Sequence, residues 1–458
     1  MPKLALIAAS ALLLGAKWGL KEAQATCSPK KIIIETDFYA FSDELSPPLL
    51  HSPNAIGMAN AFMSWGEVDI IGIVSSIHSE YAPPAIDAFN TFYGHGDIPI
   101  AIKKPLNDST GDWEYSTYPD YVIPLVEHFP EAIHTGWNTT DPVPLYRKLL
   151  SESANSSVTI AMIGFLDNIF DLLLSGPDAF SPLSGLELVK QKVVELVLQE
   201  TNMPYPDEFK IPLAFMVEAS ILTIKRLIRL FQADPTAPSY NLDHVNGTYA
   251  EYVLSVWPNT MTFVPGSIGS HTHCCAKLTT ELDISTDPVA FTWNISVGYN
   301  KSYKSWDPTA MLYAGRGLGD WYIYNETTEQ GYAVEANATG DTYLDTSKKS
   351  PAPQQAVEIS PTFSNVSLAA LIQDILLWTP GEPWPADAGL KCSSNSTTTT
   401  TTTSSSSLPT GTWTATASTV TSTGGVSPSA YSGGAVELGV SQLGLLTCGA
   451  AILAMFAI

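Results

Sequence analysis

KIIIETDFYAFSDE, residues 31–44, is the stretch of sequence that most constrains the fold class. Residues 31–36 are mostly apolar and β-branched and break off at Asp37, a pattern typical of a buried parallel strand. Asp37, Asp43 and Glu44 then fall within eight residues, and carboxylates this close repel one another unless they are solvated or neutralised. An all-oxygen cluster favours a hard cation such as calcium or magnesium. The alternative is an exposed acidic loop in which Asp43 caps a turn or a helix.

Strand and helix patterns alternate after this stretch. Strands are predicted at 68–75, 98–102 and 157–163, and helices at 84–93, 144–150, 166–174 and 186–198. This order predicts an α/β fold: an open, mostly parallel sheet with helices on both faces, in a single large domain spanning residues 26–385. In such a sheet the functional site lies at the carboxyl ends of the strands.

Composition narrows the class of ligand. The chain has 458 residues, with Lys and Arg numbering 22 against 45 Asp and Glu, which gives a formal net charge of -23. A charge of this sign opposes binding to a polyanion, so we expect no nucleic-acid polymer as partner and a small, uncharged ligand instead. The oligomeric state, including a homo-oligomer, is left open.

Both ends of the chain resemble processing signals. Residues 1–25 have the apolar run and small-x-small end of a signal peptide, with an uncleaved anchor as the alternative. Ten Asn-x-Ser/Thr sites along the chain fit a secreted glycoprotein. Residues 386–432 form a stalk rich in Ser and Thr, and residues 433–458 read as the attachment signal of a glycosylphosphatidylinositol anchor, with a transmembrane tail as competitor. We therefore expect a cell-surface protein anchored to the plasma membrane or cell wall.

Cysteine usage agrees with an oxidising compartment. Cys448 lies in the predicted tail, which leaves Cys27, Cys274, Cys275 and Cys392. Four cysteines allow three pairings, and the sequence does not choose among them. A clasp between Cys27 and Cys392 would join the two ends of the folded region. A metal cluster of the 274–275 pair with the two histidines just before it is a weaker alternative to disulfide pairing.

Residues 32–44, IIIETDFYAFSDE, resemble the N-terminal signature of the inosine-uridine preferring nucleoside hydrolases, and are most similar to their fungal secreted branch. The resemblance covers roughly residues 31–378 with gaps. The further similar segments, in chain order, are GEVDIIGIVSS (66–76), APPAIDAFNTFYGHGDIPIAI (82–102), VTIAMIGFLDNIFDLL (158–173), SYNL (239–242), TFVPGSIG (262–269) and SWDPTAMLYAGRGLGDW (305–321).

The resemblance implies a calcium site. Asp37 matches the aspartate that binds calcium and acts as general base toward the attacking water. Glu44 stands where a second aspartate chelates the metal, and Asp307 matches the last metal-binding aspartate. The backbone carbonyl of Ile163 corresponds to a further ligand.

The resemblance also implies a ribose site. Asp43 and Asn241 match residues that contact ribose hydroxyls, and Asn168, in the loop after the fourth strand, is predicted to bind substrate. The implied activity is calcium-dependent hydrolysis of the N-glycosidic bond of ribonucleosides to base and ribose. The alternative is a surface glycoprotein that keeps the fold without catalysis and serves a binding or wall-associated role.

This chain departs from the family pattern at several positions. Glu44 is one methylene longer than the usual aspartate, Trp306 replaces a histidine proposed as leaving-group acid, and Ser239 replaces a ribose-contacting glutamate. Residues 204–238 read as an insertion with a cationic amphipathic helix. These departures predict weakened calcium binding and slow turnover.

Overall fold

A sheet of eight strands organises the computed structural model of the protein. The structure describes residues 28–38, 51–106, 121–199, 247–325, 331–338, 340 and 342–389, all within one compact unit. The strands are β1 (Lys30–Thr36), β2 (Val68–Ser75), β3 (Ile100–Ile102), β4 (Val158–Ile163), β5 (Val193–Gln199), β6 (Thr260–Val264), β7 (Tyr322–Tyr324), β8 (Tyr332–Ala336), β9 (Thr342–Lys349) and β10 (Gln354–Ile359).

Twelve α-helices are present in the described part of the chain. They are α1 (His51–Ser64), α2 (Ala82–Phe92), α3 (Val122–His128), α4 (Pro142–Glu152), α5 (Asp167–Leu174), α6 (Gly185–Lys192), α7 (Gly247–Val256), α8 (Gly266–His271), α9 (Leu278–Glu281), α10 (Pro288–Ser296), α11 (Trp306–Arg316) and α12 (Asn365–Leu376). No helix of the described residues is long and apolar enough to span a membrane.

The strand order places a switch point at the centre of the sheet. The order is β3-β2-β1-β4-β5-β6-β10-β7, and every neighbouring pair is parallel except β10 with β7. The chain builds outward from β1 to β3 and then returns to place β4 on the other side of β1. Because loops diverge where the order reverses, the carboxyl ends of β1 and β4 border a crevice. Strands β8 and β9 pair separately as an antiparallel hairpin.

Helices cover both faces of the sheet. Ile32 and Ile34 point into one buried cluster, which also contains Phe62 of α1 and Leu312 of α11. Ile33 points into the opposite cluster with side chains of α4, α5, α6 and α7. This alternation buries β1 on both faces, and it confirms the predicted α/β fold class with its mostly parallel sheet.

One predicted helix, residues 186–198, is wrong. A helix does begin there, with a capping box between Ser184 and Glu187, but α6 ends at Lys192 and β5 follows at once. The sequence VVELVLQ of β5 is rich in β-branched and apolar residues, which suit a strand lying between β4 and β6. Strands 31–36, 68–75 and 157–163 are confirmed, to within one residue at their ends.

The domain boundaries stay predictions. The signal peptide at 1–25, the insertion at 204–238 and the anchor signal at 433–458 lie outside the described residues, as does nearly all of the stalk.

Glu67 joins the two ends of the described chain. Its backbone carbonyl accepts a hydrogen bond from the amide of Lys30 at 3.2 Å, and its Oε1 accepts one from the amide of Gly389 at 2.8 Å. Arg316 donates to the same carboxylate through Nε and Nη2, at 2.8 and 2.9 Å. Its guanidinium also lies 4.8 Å from the ring centroid of Phe62. A buried bidentate pair therefore holds the start of β1 next to the end of the described domain.

This arrangement supports a prediction about Cys27 and Cys392, which lie outside the described residues. Cys27 lies three residues before Lys30, and Cys392 lies three residues after Gly389. Three residues of extended chain span at most about 10 Å. We expect a non-reducing digest of the mature protein to yield the two cysteine peptides linked to each other. Replacing both cysteines with serine should lower the free energy of unfolding by about 2–5 kcal/mol. Two free thiols, or a link to another partner, would contradict the clasp.

Candidate functional site

Two aspartates far apart in sequence meet on one hydroxyl group. Asp37 follows β1, and Asp307 lies in the first turn of α11. The Oγ atom of Ser52, at the start of α1, is 2.9 Å from Oδ1 of Asp37 and 2.7 Å from Oδ2 of Asp307. All three side chains are buried. The fold thus brings together the two aspartates that the sequence predicted as metal ligands.

One hydroxyl group cannot satisfy both carboxyl groups if both are ionised. A serine hydroxyl has one hydrogen, so it can donate fully to only one of the two carboxylates. The other short contact requires a proton or a cation to offset the repulsion between oxygen atoms. Burial raises the pKa of Asp37 from 3.8 to about 7, while the hydrogen bond from Ser52 acts in the opposite direction. Burial thus favours the protonated form of Asp37 more than it would for an exposed aspartate.

The loops after β1, β2 and β4 are tied together beside Asp37. Ser76, after β2, donates through Oγ to the carbonyl of Thr36 at 3.1 Å and accepts from the amide of Phe165 at 3.1 Å. Gly164 lies so close that a Cβ atom there would be 2.5 Å from the backbone nitrogen of Asp37. Only glycine allows this approach, so the end of β4 packs directly against the backbone that carries Asp37.

The described donors fit a hard cation. Ile163, whose carbonyl was predicted as a ligand, is the register partner of Thr36 and so lies beside the start of the Asp37 loop. Asp37, Asp307 and this carbonyl offer oxygen atoms alone, the donor type that calcium prefers. Among the described residues no group of three or more His, Cys, Asp or Glu side chains could hold a metal ion. A full ligand shell would therefore need donors beyond these two aspartates.

Three predicted site residues stay untested. Asp43, Glu44 and Asn241 lie outside the described residues, so the structure neither places them with Asp37 nor separates them from it.

Asn168 lies next to this cluster, in a buried polar network. Its Nδ2 donates to Oε1 of Glu35 at 2.8 Å and to the carbonyl of Ser75 at 3.2 Å. The hydroxyl of Tyr146 donates to Oε2 of Glu35 at 2.7 Å. Burial, followed by the charge of Asp167, raises the pKa of Glu35 well above its usual range, while these two hydrogen bonds lower it.

Asp167, the first residue of α5, is a further buried acid at this edge of the sheet. Its Oδ2 lies 3.7 Å from Nζ of Lys103, and that ammonium is 2.6 Å from Oδ2 of Asp171. Burial raises the pKa of Asp167 to about 6, against the effect of Lys103. Glu35 and Asp167 thus place two buried carboxyl groups near the carboxyl ends of β1 and β4.

The segment before Asp307 is held by Cys274, which forms a disulfide with its neighbour Cys275. The amide of Cys274 donates to the carbonyl of Tyr303 at 2.9 Å, and Ser305 donates to its Sγ at 3.0 Å. This pairing resolves one of the alternatives left open by the sequence. It also leaves no thiolate for a metal cluster at this position, and His271 and His273 are exposed.

Trp306 supplies no acid at the site. Its indole Nε1 donates to the carbonyl of Gly266 at 2.9 Å, and its ring packs against Gly269 of α8, where a Cβ atom would be 2.6 Å from Cδ1. Indole is a donor only and does not titrate in water. Where the family pattern has a histidine, this chain thus has a packing residue.

Sequence reasoning missed three residues of the site. Ser52 and Tyr146 gave no signal, because each contact joins segments that meet only after folding. Glu35 did give one: an acid inside a run of buried, β-branched residues needs a partner to be tolerated.

The Ser52 contact predicts a measurable effect on stability. Ser52→Ala removes the one donor between two buried carboxyl groups, so we expect the free energy of unfolding to fall by about 1–3 kcal/mol. Ser153→Ala is the matched control, since Ser153 is also buried and donates to a neutral backbone carbonyl, that of Leu149. Urea denaturation of both variants at pH 7 measures the difference. A loss for Ser52→Ala no larger than that of the control would contradict the bridging role.

No family model matches the chain, and a search of curated proteins found no match. Solved structures similar to this chain include a plant nucleoside hydrolase, at 15% identity and TM-score 0.48, covering 76% of this chain and 99% of that one. A purine-preferring ribonucleoside hydrolase from Gardnerella vaginalis is similar at 12% identity and TM-score 0.48, with 76% and 97% covered. The type III effector protein XopQ, solved with adenosine diphosphate ribose, is similar at 12% identity and TM-score 0.45, and the match covers 76% of this chain and 95% of that one. At these values the likeness assigns no activity, and the fungal secreted branch stays a prediction.

Proposed function

We propose that this protein hydrolyses the N-glycosidic bond of ribonucleosides, releasing base and ribose, in a reaction that depends on calcium. One observation carries the proposal: Asp37 and Asp307, which lie far apart in sequence, converge with Ser52 at the carboxyl edge of the sheet. The resemblance of residues 31–44 to the nucleoside hydrolase signature supports the same proposal.

Asp37 is the group that would accept the proton of the attacking water. Burial raises the pKa of its carboxyl group, and a carboxylate with a raised pKa is a stronger base toward water than an ordinary aspartate. Ser52 donates to its Oδ1 and thereby orients the carboxylate. The second oxygen of Asp37 is then the natural acceptor for a proton from water.

Calcium, held by Asp37, Asp307 and the carbonyl of Ile163 with Glu44 as a further proposed ligand, would lower the pKa of a bound water and contact sugar hydroxyls. Asp307 lies in the first turn of α11. The charge of the bound cation would favour the ionised form of both aspartates.

The acidic surroundings suit the sugar. Cleavage of an N-glycosidic bond develops positive charge on the ribose as an oxocarbenium-like species. The ionised carboxylates of Asp37 and Asp307 would stabilise that charge. Asp43 and Asn241 are the further residues that we propose for ribose contacts.

The presence of Trp306 in place of an acid supports a second candidate function. Its indole hydrogen is committed to Gly266, so it does not protonate a departing base. Loss of a general acid typically costs a factor of about 10² to 10⁴ in rate. The second candidate is therefore a cell-surface glycoprotein that binds ligands with this fold but does not turn them over.

A nucleoside panel separates the two candidates. With saturating calcium we expect slow release of reducing sugar from inosine or uridine, and chelation of calcium should stop it. Asp37→Asn should abolish the activity, because it removes the base and a metal ligand together. Glu44→Asp should keep or raise calcium affinity, measured by calorimetry.

Asp287→Asn is the matched control for Asp37→Asn. Asp287 is also buried, caps α10 by accepting from the amide of Ala290, and belongs to no part of the proposed site. It should fold and turn over substrate as the wild type does. If the wild type with calcium hydrolyses no nucleoside, or if Asp37→Asn leaves the rate unchanged, the binding protein becomes the better account.

We also propose that the protein acts at the cell surface through a lipid anchor attached near Ser432. The observation behind this is the order of small residues, spacer and apolar tail in residues 432–458. Phosphatidylinositol-specific phospholipase C should release the protein from intact cells. Resistance to release, or a released form that still contains residues 443–458 by mass spectrometry, would favour a transmembrane tail.

A further inference from the structure

Glu35 is a buried acid that the proposed chemistry does not use. It lies on β1 with no exposed surface, in a strand whose other central residues are isoleucines. An acid at such a position costs several kcal/mol unless its oxygen atoms are satisfied. Both of them are: Oε2 accepts from Tyr146 at 2.7 Å and Oε1 accepts from Asn168 at 2.8 Å.

The second partner of Glu35 has its orientation fixed. Asn168 uses its Nδ2 twice, toward Glu35 on β1 and toward the carbonyl of Ser75 on β2, at 2.8 and 3.2 Å. Both partners accept hydrogen bonds, so the amide cannot rotate by 180° without placing its carbonyl against another oxygen. The side chain is thus locked with Nδ2 toward the strands.

The two hydrogen bonds of Nδ2 leave the carbonyl oxygen as the other polar atom of the Asn168 side chain. Oδ1 of Asn168 is buried and has no hydrogen-bond partner within the described part of the chain. A buried carbonyl oxygen without a donor is costly, so this atom is suited to accept from a ligand. Asn168 lies in the first turn of α5, just after β4, at the edge of the sheet where Asp37 lies. Ribose brings hydroxyl donors to that edge.

We propose that Glu35 is a positioning residue: together with the carbonyl of Ser75 it holds the amide of Asn168 so that Oδ1 accepts a hydrogen bond from one ribose hydroxyl. This inference rests on the proposed function. Tyr146 contributes indirectly, because its hydroxyl donates to Glu35 and fixes the carboxyl group of that residue. The positioning role leaves the proposed roles of Asp37 and Asp307 as they are.

Two substitutions of Glu35 distinguish a positioning role from a role in core packing alone. Glu35→Gln keeps an oxygen that accepts from Asn168 and an amide that can donate to the oxygen of Tyr146, so it should preserve function. Glu35→Leu fills the strand but removes the acceptor, which frees the amide of Asn168 to rotate. Asn168→Ala removes the proposed contact itself.

The experiment compares kcat/KM for a ribonucleoside with that for its 2′-, 3′- and 5′-deoxy analogues. Asn168→Ala should lower kcat/KM for the ribonucleoside by about 10- to 100-fold. For the one analogue that lacks the contacted hydroxyl, the loss should nearly vanish. Glu35→Leu should show the same selective loss, and Glu35→Gln should restore wild-type behaviour. An equal loss on all four substrates, or no loss for Glu35→Leu, would overturn the positioning role.

Failure of the proposed function gives a different result. In that case the wild type hydrolyses none of the four nucleosides, and calorimetry measures their binding instead. A ribonucleoside that binds more tightly than one deoxy analogue, with the preference lost in Glu35→Leu and kept in Glu35→Gln, would support the positioning role without catalysis. Absence of any nucleoside binding, or a preference unaffected by Glu35→Leu, would overturn it. Thermal unfolding of each variant confirms that it is folded.

Discussion

The contact of two buried carboxyl groups with one serine hydroxyl is the interaction on which the arrangement of the site depends. Asp37 and Asp307 would repel each other at this distance if both were ionised and isolated from any cation or proton. The two aspartates lie close together because α1 and α11 pack on the same face of the sheet. This packing places the hydroxyl of Ser52, from α1, between the two carboxyl groups. The site is therefore a product of helix packing, with the acids held where the fold puts them.

The strand ends below this contact are built for close approach. Gly164 allows β4 to touch the backbone at Asp37, and Ser76 joins the ends of β1, β2 and β4 through its hydroxyl. These contacts involve backbone atoms of β1 and β4, so the position of the Asp37 backbone depends on the close approach of the two strand ends.

The parts of the structure that follow from local pattern were predictable from the sequence. The run at residues 31–36 and its abrupt stop predicted β1 and the place of Asp37, and the alternation of elements predicted a parallel sheet. The pattern misled at β5, because the apolar spacing of residues 186–198 suits a helix as well as a strand until the neighbouring strands are known. Ser52 could not be predicted at all, since its two partners lie 15 and 255 residues away.

Three unsatisfied buried polar atoms lie at the edge of the sheet that carries the proposed site. Among the buried side-chain atoms that lack a hydrogen-bond partner in the described part of the chain, Thr36 Oγ1, Asp167 Oδ1 and Asn168 Oδ1 all come from the end of β1 and the start of α5. Native proteins pair nearly all such atoms, so a group of three at one edge requires an explanation. Ten further unsatisfied buried atoms lie elsewhere in the described part of the chain, among them Nε1 of Trp65, Trp257 and Trp321. At the switch point of the sheet, a polar ligand or ordered water would account for the three atoms together, because it would supply donors to the oxygen atoms that the protein itself leaves unpaired.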